Sequence, residues 1–274
     1  MSSRPEHTAP PEIFYNDTEA QKYSYNSRMI EIQEQMTQRA MELLVLPEDQ
    51  QCLLLDIGCG SGLSGNVLEE EGHHWIGVDI SAAMLRVALE REVEGDLMLV
   101  DMGQGMPFRA GAFDGAISIS ALQWICNIDN SGHKLQRRLN KFFDTLFACL
   151  SSCARAVFQF YPENDQQVEV ITRAALRAGF FGGTVIDFPN SKKAKKFFLV
   201  LMTSSSMPLP KAINGPEGVR SETGVRKRVR GNKKGIIIKD KRSWIINKKK
   251  RLERQGKKVR PDSKYTGRKR SSKF

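Results

Sequence analysis

The sequence predicts an α/β fold: a seven-stranded, mostly parallel sheet with helices on both faces, followed by a basic C-terminal extension. Three observations predict it. Short apolar runs alternate with segments whose apolar residues recur at spacings of three and four, the mark of strands joined through helical crossovers. The first run, Leu53-Leu54-Leu55-Asp56-Ile57, opens directly into Gly58-Cys59-Gly60-Ser61-Gly62. That is a buried strand followed by a tight turn where backbone approaches a ligand closely. Charge is also divided unevenly. Residues 1–218 hold 19 basic and 27 acidic residues, and residues 219–274 hold 23 and 4, so an acidic body of net −8 carries an arm of net +19.

In chain order, residues 1–24 read as an N-terminal segment. Its first twelve residues hold Pro5, Pro10 and Pro11 among polar neighbours and are expected to be loose. The globular domain is expected over 25–202. A helix over 26–46 places Met29, Ile32, Met36, Ala40, Leu43 and Leu44 on one face and stops at Pro47. It packs on the sheet and, with Tyr23, Tyr25 and Arg28, is placed to form a lid. Strands are expected at 52–57, 74–80, 97–101, 114–120 and 155–160. Ser81 is an N-cap for the helix carrying Met84, Leu85, Ala88 and Leu89. A helix over 134–150 carries Leu139, Phe142, Phe143 and Leu146, and another carries Val168, Ile171 and Ala175 before Gly179. Strands at 184–188 and 197–202, joined by a short loop, pair as a hairpin and make one strand antiparallel. Residues 203–218, rich in Ser, Pro and Gly, read as a linker. Residues 219–274 are the arm; apart from a possible basic helix over 240–255, they lack an apolar face of their own.

The composition excludes several classes. The five cysteines are odd in number and have no Cys-x-x-Cys spacing, which points to reduced thiols in the cytosol or nucleus rather than a disulfide framework or a zinc site. No apolar run of transmembrane length and no signal-peptide core occur, so an intracellular, soluble chain is expected. The four histidines form no metal or Ser-His-Asp constellation by spacing. An arm this basic suits a phosphate-rich partner, because every phosphate neutralised releases counterions. It equally suits a nuclear-localisation tract.

The glycine turn admits two ligands. Gly60-Ser61-Gly62-Leu63-Ser64-Gly65 matches a dinucleotide fingerprint, and Asp79 at the second strand's tip would bond ribose hydroxyls in either case. Asp56 discriminates. A carboxylate beside the turn opposes a pyrophosphate but suits a ligand bearing an ammonium and a sulfonium, which S-adenosylmethionine is. Asp101, at the third strand's tip, is placed to accept from an adenine amino group, with Met84 or Met102 packing on the ring. The cofactor set is therefore Asp56, Gly58, Cys59, Gly60, Ser61, Gly62, Asp79, Ile80, Met84, Asp101, Met102 and Ser118. On the acceptor side the fourth strand's tip reads Ser118-Ile119-Ser120-Ala121-Leu122-Gln123-Trp124, without the Asn/Asp-Pro-Pro-aromatic pattern of exocyclic-amine methyltransferases. Ser118, Trp124 and Tyr161 are expected to position the acceptor, Trp124 by stacking on a flat base and Tyr161 by covering its other side. No general base is expected.

Pro11-Glu12-Ile13-Phe14-Tyr15, Leu54 through Gly60, Gly103-Gln104-Gly105, Ser118 through Ala121, Tyr161-Pro162-Glu163-Asn164 and Val259 through Arg270 together resemble the eukaryotic 18S rRNA guanine-N7 methyltransferase family of small-subunit biogenesis. Residues 203–240 carry none of the resemblance. It implies a class I, Rossmann-like methyltransferase fold, with S-adenosylmethionine held by Asp56, Gly58, Gly60, Asp79 and Asp101. It also implies 7-methylguanosine in 18S rRNA as product, action on pre-40S particles in the nucleus, and a small zinc-binding activator subunit as partner. The zinc then belongs to the partner. An apolar strand near the sheet edge, around residues 97–100, is a candidate for pairing with another chain. Two other readings stand beside this one: an assembly scaffold whose methyl transfer is dispensable, and a methyltransferase for another RNA or a protein.

Overall fold

The computed structural model describes residues 4–47, 50–127, 134–191, 194–205, 212–213, 249 and 261. The chain divides into two compact units, Met1–Gly224 and Val225–Phe274. In the second, the described residues are Lys249 and Pro261; the Lys249 ammonium donates to the Pro261 carbonyl at 3.4 Å. The expected basic helix over 240–255 and most of the arm lie outside the described residues.

The first unit begins with a 3-10 turn at Pro5–His7, then α1 (Pro11–Phe14), α2 (Asp17–Ser24) and α3 (Ser27–Leu44). The expectation of a loose start is thus corrected from residue 5 onward. Pro5 and Pro11 each stand first in a helical turn, where a missing N–H costs nothing and a fixed φ is pre-set. The Asn16 and Asn26 side chains cap α2 and α3 by accepting N–H groups of their first turns.

Strands and helices then alternate: β1 (Leu53–Ile57), α4 (Leu63–Glu70), β2 (His74–Asp79), α5 (Ala82–Glu90), β3 (Asp96–Leu99), β4 (Phe113–Ile119), α6 (Leu135–Cys149), β5 (Leu150–Phe160), α7 (Asp165–Arg177), β6 (Phe181–Asp187) and β7 (Lys196–Met202). The sheet order is β3-β2-β1-β4-β5-β7-β6, with β7 antiparallel to both neighbours and every other pairing parallel. The expected seven strands and closing hairpin are both present. β5 starts five residues earlier than the sequence suggests because Leu150 pairs with Phe113 across a bulge.

Strand alternation divides the core between the two faces. Leu55, Ile57 and Phe158 pack with Phe142, Phe143 and Leu146 of α6 and Ile171 of α7. Leu54, Ile117 and Val157 pack with Met36, Ala40 and Leu43 of α3 and Leu68 of α4. Part of the expected linker is docked on the hairpin: Phe188 N–H donates to the Ile213 carbonyl at 3.0 Å, and Ile213 N–H to Asp187 Oδ1 at 2.7 Å. Arg39 of α3 pairs with the same buried Asp187 at 2.9 Å. Among the described residues, no helix is long and apolar enough to cross a membrane.

Candidate functional site

The strand order reverses between β1 and β4, and the crevice at that switch point is where open α/β sheets bind ligands. A cavity of about 260 Å³ lies there, at the C-terminal tips of β1, β2 and β4.

Its floor is the glycine turn. Gly58 and Cys59 donate their N–H groups to the Val78 carbonyl at 2.7 and 3.2 Å, which stitches the turn to β2. Gly58 has φ +74°, and a Cβ on it would lie 2.3 Å from the Ala121 Cβ. Gly60 has φ +56°, and a Cβ there would lie 2.9 Å from the Met84 Cε. Side chains at both positions would be strained and would fill the cradle. Gly62 does not line the cavity; it is the N-cap of α4 and donates to the Cys59 carbonyl at 3.0 Å.

Asp79 organises the next wall. One oxygen accepts from Gly60 N–H at 2.9 Å and the other from Ser81 N–H at 2.7 Å. Burial pushes its pKa up, and these N–H groups oppose the shift. Ser81 caps α5 through Met84 N–H at 3.2 Å and donates its hydroxyl to the Tyr15 carbonyl at 2.9 Å. Ile80, Met84, Asp101 and Met102 complete this side. Asp101 caps a short turn through Gly103 N–H at 2.8 Å and is held by Arg138 of α6 with both oxygens at 2.9 Å. This bidentate geometry fixes the carboxylate in place. Arg138 also lines the cavity, and the sequence reading missed it: one cation on a helix with an apolar face carries no signal.

The roof comes from the N-terminal segment. Pro10, Pro11, Glu12, Tyr15, Tyr23 and Gln33 line it. Tyr15 packs 5.8 Å from both Trp124 and Tyr23, and Phe14 packs 6.0 Å from Trp124. The strap is tied down at its start. Arg4 donates to the carbonyls of Tyr161 and Pro162 at 3.1 and 3.2 Å, and Asn127 donates its amide to the Glu6 carbonyl. Burial, then the charges of Asp79 and Glu6, pushes the Tyr15 pKa up to about 12, so its phenol stays protonated. Tyr23 is raised further, chiefly by burial. Of the expected lid residues, Tyr23 lines the cavity, whereas Tyr25 is exposed and Arg28 lies on the outer surface.

Besides Gly62, three predicted contacts are corrected. Asp56 is fully buried and does not line the cavity. It follows Leu55 and therefore takes the opposite face of β1, toward α4, where Ser64 donates to its Oδ2 at 2.5 Å. Its Oδ1 has no hydrogen-bond partner among the described residues, and burial pushes its pKa up to about 7. Ser118 is fully buried and donates to the Ile57 carbonyl at 2.7 Å, so it staples β4 to β1 and does not line the cavity. Tyr161 sits between α3 and the hairpin, its hydroxyl 3.5 Å from Met36 Sδ and accepting from Lys196 Nζ at 3.0 Å. It does not line the cavity, and its backbone carbonyl accepts from Arg4. Trp124, Gly58, Cys59, Gly60 and Ser61 line the cavity. All five cysteines are free, and the described residues hold no group of His, Cys, Asp and Glu that could bind a metal ion.

The residues fit an adenosyl cation. The cradle leaves room only for glycine, two fixed acids stand at adjacent strand tips, and apolar methionines flank them. This fold and site define a class I S-adenosylmethionine-dependent methyltransferase. The solved structures agree on the fold. Phosphoethanolamine N-methyltransferase 2 of Haemonchus contortus matches with a TM-score of 0.54 at 18% identity, over 70% of this chain and 58% of that one. The magnesium protoporphyrin IX methyltransferase of Synechocystis PCC 6803 matches with a TM-score of 0.52 at 16% identity, over 74% and 99%. A methyltransferase-domain model matches residues 55–144, and a model described as a methyltransferase involved in Williams-Beuren syndrome matches residues 206–272. The second match spans most of residues 203–240, which carried no resemblance on inspection. At full length the chain is 55% identical to the 18S rRNA (guanine-N(7))-methyltransferase of Mus musculus, covering 100% of this chain and 99% of the relative. It is 51% identical to the 18S rRNA (guanine(1575)-N(7))-methyltransferase of Saccharomyces cerevisiae, covering 99% and 100%. The chain belongs to the 18S rRNA (guanine-N7)-methyltransferase family.

Proposed function

We propose that this chain transfers a methyl group to N7 of a guanosine in 18S rRNA, forming 7-methylguanosine during small-subunit biogenesis. The observation that carries the reading is full-length identity above one half with a relative named for that reaction, joined to a cavity fitted to an adenosyl ligand. S-adenosylmethionine, when bound, supplies an electrophilic methyl on a sulfonium. The chain supplies position and exclusion of water. Asp79, already oriented by two backbone N–H groups, retains lone pairs for ribose hydroxyls. Asp101, Met84 and Met102 form the adenine side, and Asp56, bonded to Ser64 behind that wall, adds negative charge when ionised, above about pH 7. Guanine N7 carries an available lone pair, so the acceptor loses no proton before attack. Tyr15, on the cavity wall, is a protonated phenol. Trp124 offers a flat face to a base. Mapping modified nucleosides in 18S rRNA from cells with and without the chain tests the assignment. Persistence of every 7-methylguanosine without it refutes it.

The partner reading extends this. β3 is the sheet's edge, and Leu99 and Met98 on it are 62% and 38% exposed, with Leu89 of α5 at 66%. An edge with free backbone groups and apolar side chains suits strand addition by another chain. A small zinc-binding activator subunit is the partner proposed for it. Residues 219–274 are proposed as the arm that contacts pre-40S RNA. Lys248-Lys249-Lys250-Arg251 and Arg268-Lys269-Arg270 suit both phosphate contact and nuclear import. The same arm favours a second role as assembly factor. Normal 40S production in cells holding only a cofactor-dead variant would make that role the dominant one.

A further inference from the structure

We propose that Glu12 recognises the acceptor base, its carboxylate accepting from N1–H and the 2-amino group of guanine. The proposal rests on the guanine-N7 reading. Four charged side chains line the cavity: Glu12, Asp79, Asp101 and Arg138. Three are committed. Asp79 bridges the glycine turn and the start of α5, and Asp101 and Arg138 hold each other through two hydrogen bonds. Glu12 makes no hydrogen bond or ion pair with any described residue. It is exposed and lines the cavity from the N-terminal strap, which leaves its carboxylate available to an incoming acceptor.

The surroundings complete a base-reading arrangement. Phe14 and Tyr15, two and three positions on, pack against Trp124 at 6.0 and 5.8 Å. Glu12, Tyr15 and Trp124 line one cavity, so the carboxylate shares its chamber with aromatic rings of the kind on which bases stack. In the proposed pose a base on those rings presents its edge to Glu12. Guanine presents two adjacent donors, which a carboxylate accepts together, whereas adenine presents an acceptor at N1 and is opposed. The same contact favours the reaction. As the bond from N7 to the methyl carbon forms and the sulfonium–methyl bond breaks, the electron pair of that bond leaves with sulfur and a positive charge spreads over the purine. N1–H becomes a stronger donor and the carboxylate bonds it more tightly. An interaction that strengthens along the reaction raises kcat more than it lowers KM.

The test uses the full chain with Glu12→Gln and Glu12→Asp, on small-subunit particles from cells lacking the enzyme. Glu12→Gln is expected to lower kcat on the order of a hundredfold, with KM for the particles and the dissociation constant for S-adenosylmethionine within about twofold of the parent, and Glu12→Asp to restore part of the rate. A second readout needs no turnover. Loaded with S-adenosylhomocysteine, the parent should bind 7-methylguanosine 5′-monophosphate about tenfold more tightly than guanosine 5′-monophosphate, and Glu12→Gln should erase that preference. Unchanged kcat overturns the proposal. So does a matching loss of S-adenosylmethionine affinity, which would assign Glu12 to the donor. A parent chain that forms no 7-methylguanosine in the particles overturns the reaction itself, whatever the variants do.

Discussion

Replacing Asp56 by Asn should stabilise the protein and weaken its cofactor binding. Asp56 is fully buried, has one oxygen without a partner among the described residues, and has its pKa raised from 3.8 to about 7. Burial is the main cause, Ser64 opposes it and the charge of Asp79 adds to it. The folded state thus holds a proton that the unfolded chain releases between about pH 4 and 7. Stability falls as pH rises through that window, and the cost is fully present above the folded value. At about 1.4 kcal/mol for each pH unit, ionising Asp56 in the fold costs roughly 4 kcal/mol. Asn keeps an acceptor for Ser64 and carries no charge. Urea melts of both chains without cofactor at pH 5 and pH 8 isolate the effect, because every other titrating group is shared. The advantage of the variant should widen by roughly 2–3 kcal/mol between the two pH values. Calorimetry at pH 8 should show weaker S-adenosylmethionine binding by the variant. A variant no more stable than the parent at pH 8, or an advantage that does not move with pH, refutes the reasoning.

Three further outcomes are expected. Asp79→Ala removes the acceptor of Gly60 and Ser81 N–H and should raise the S-adenosylmethionine dissociation constant at least about a hundredfold, with circular dichroism unchanged; full-strength titration would remove Asp79 from the site. Deleting residues 219–274, net +19, should weaken rRNA binding and flatten the plot of log affinity against log salt; an unchanged slope would place the RNA contacts on the body. Leu99→Glu puts a charge on an exposed apolar edge position and should lower recovery of a co-expressed zinc-binding activator about tenfold or more, while S-adenosylmethionine binding holds; equal recovery would move the partner to another face.

The parts written in short-range pattern were legible in the sequence. Apolar runs and helical spacings placed all seven strands, because one side-chain period decides each. The glycine turn was legible because only a backbone that must bend and approach a ligand spends so many glycines. The acid at the tip of β2 was legible for a similar reason: its partner, Gly60, lies in that same turn. Which way a strand-tip side chain turns was not. Ser118 and Asp56 stand at the right height but on buried faces, and that choice depends on the register of neighbouring strands. The roof was the largest miss. Residues 1–12 hold three prolines and read as loose, yet Arg4 and Glu6 are bonded to residues 127, 161 and 162, and Tyr15 just beyond them to residue 81. Contacts across that separation have no period to detect.

That strap also sets an order of events during synthesis. Arg4 leaves the ribosome long before the carbonyls that anchor it, which belong to Tyr161 and Pro162. At about 5–20 residues per second, roughly ten to thirty seconds separate the two. Throughout that interval the aromatic stretch around Phe14 and Tyr15 has no wall to close on, which makes it a natural client for chaperones. The strap that lines the cavity is therefore completed only after residues 161 and 162 are in place, so a change that loosens the Arg4 anchor reaches the site through the folding order as well as through the finished fold.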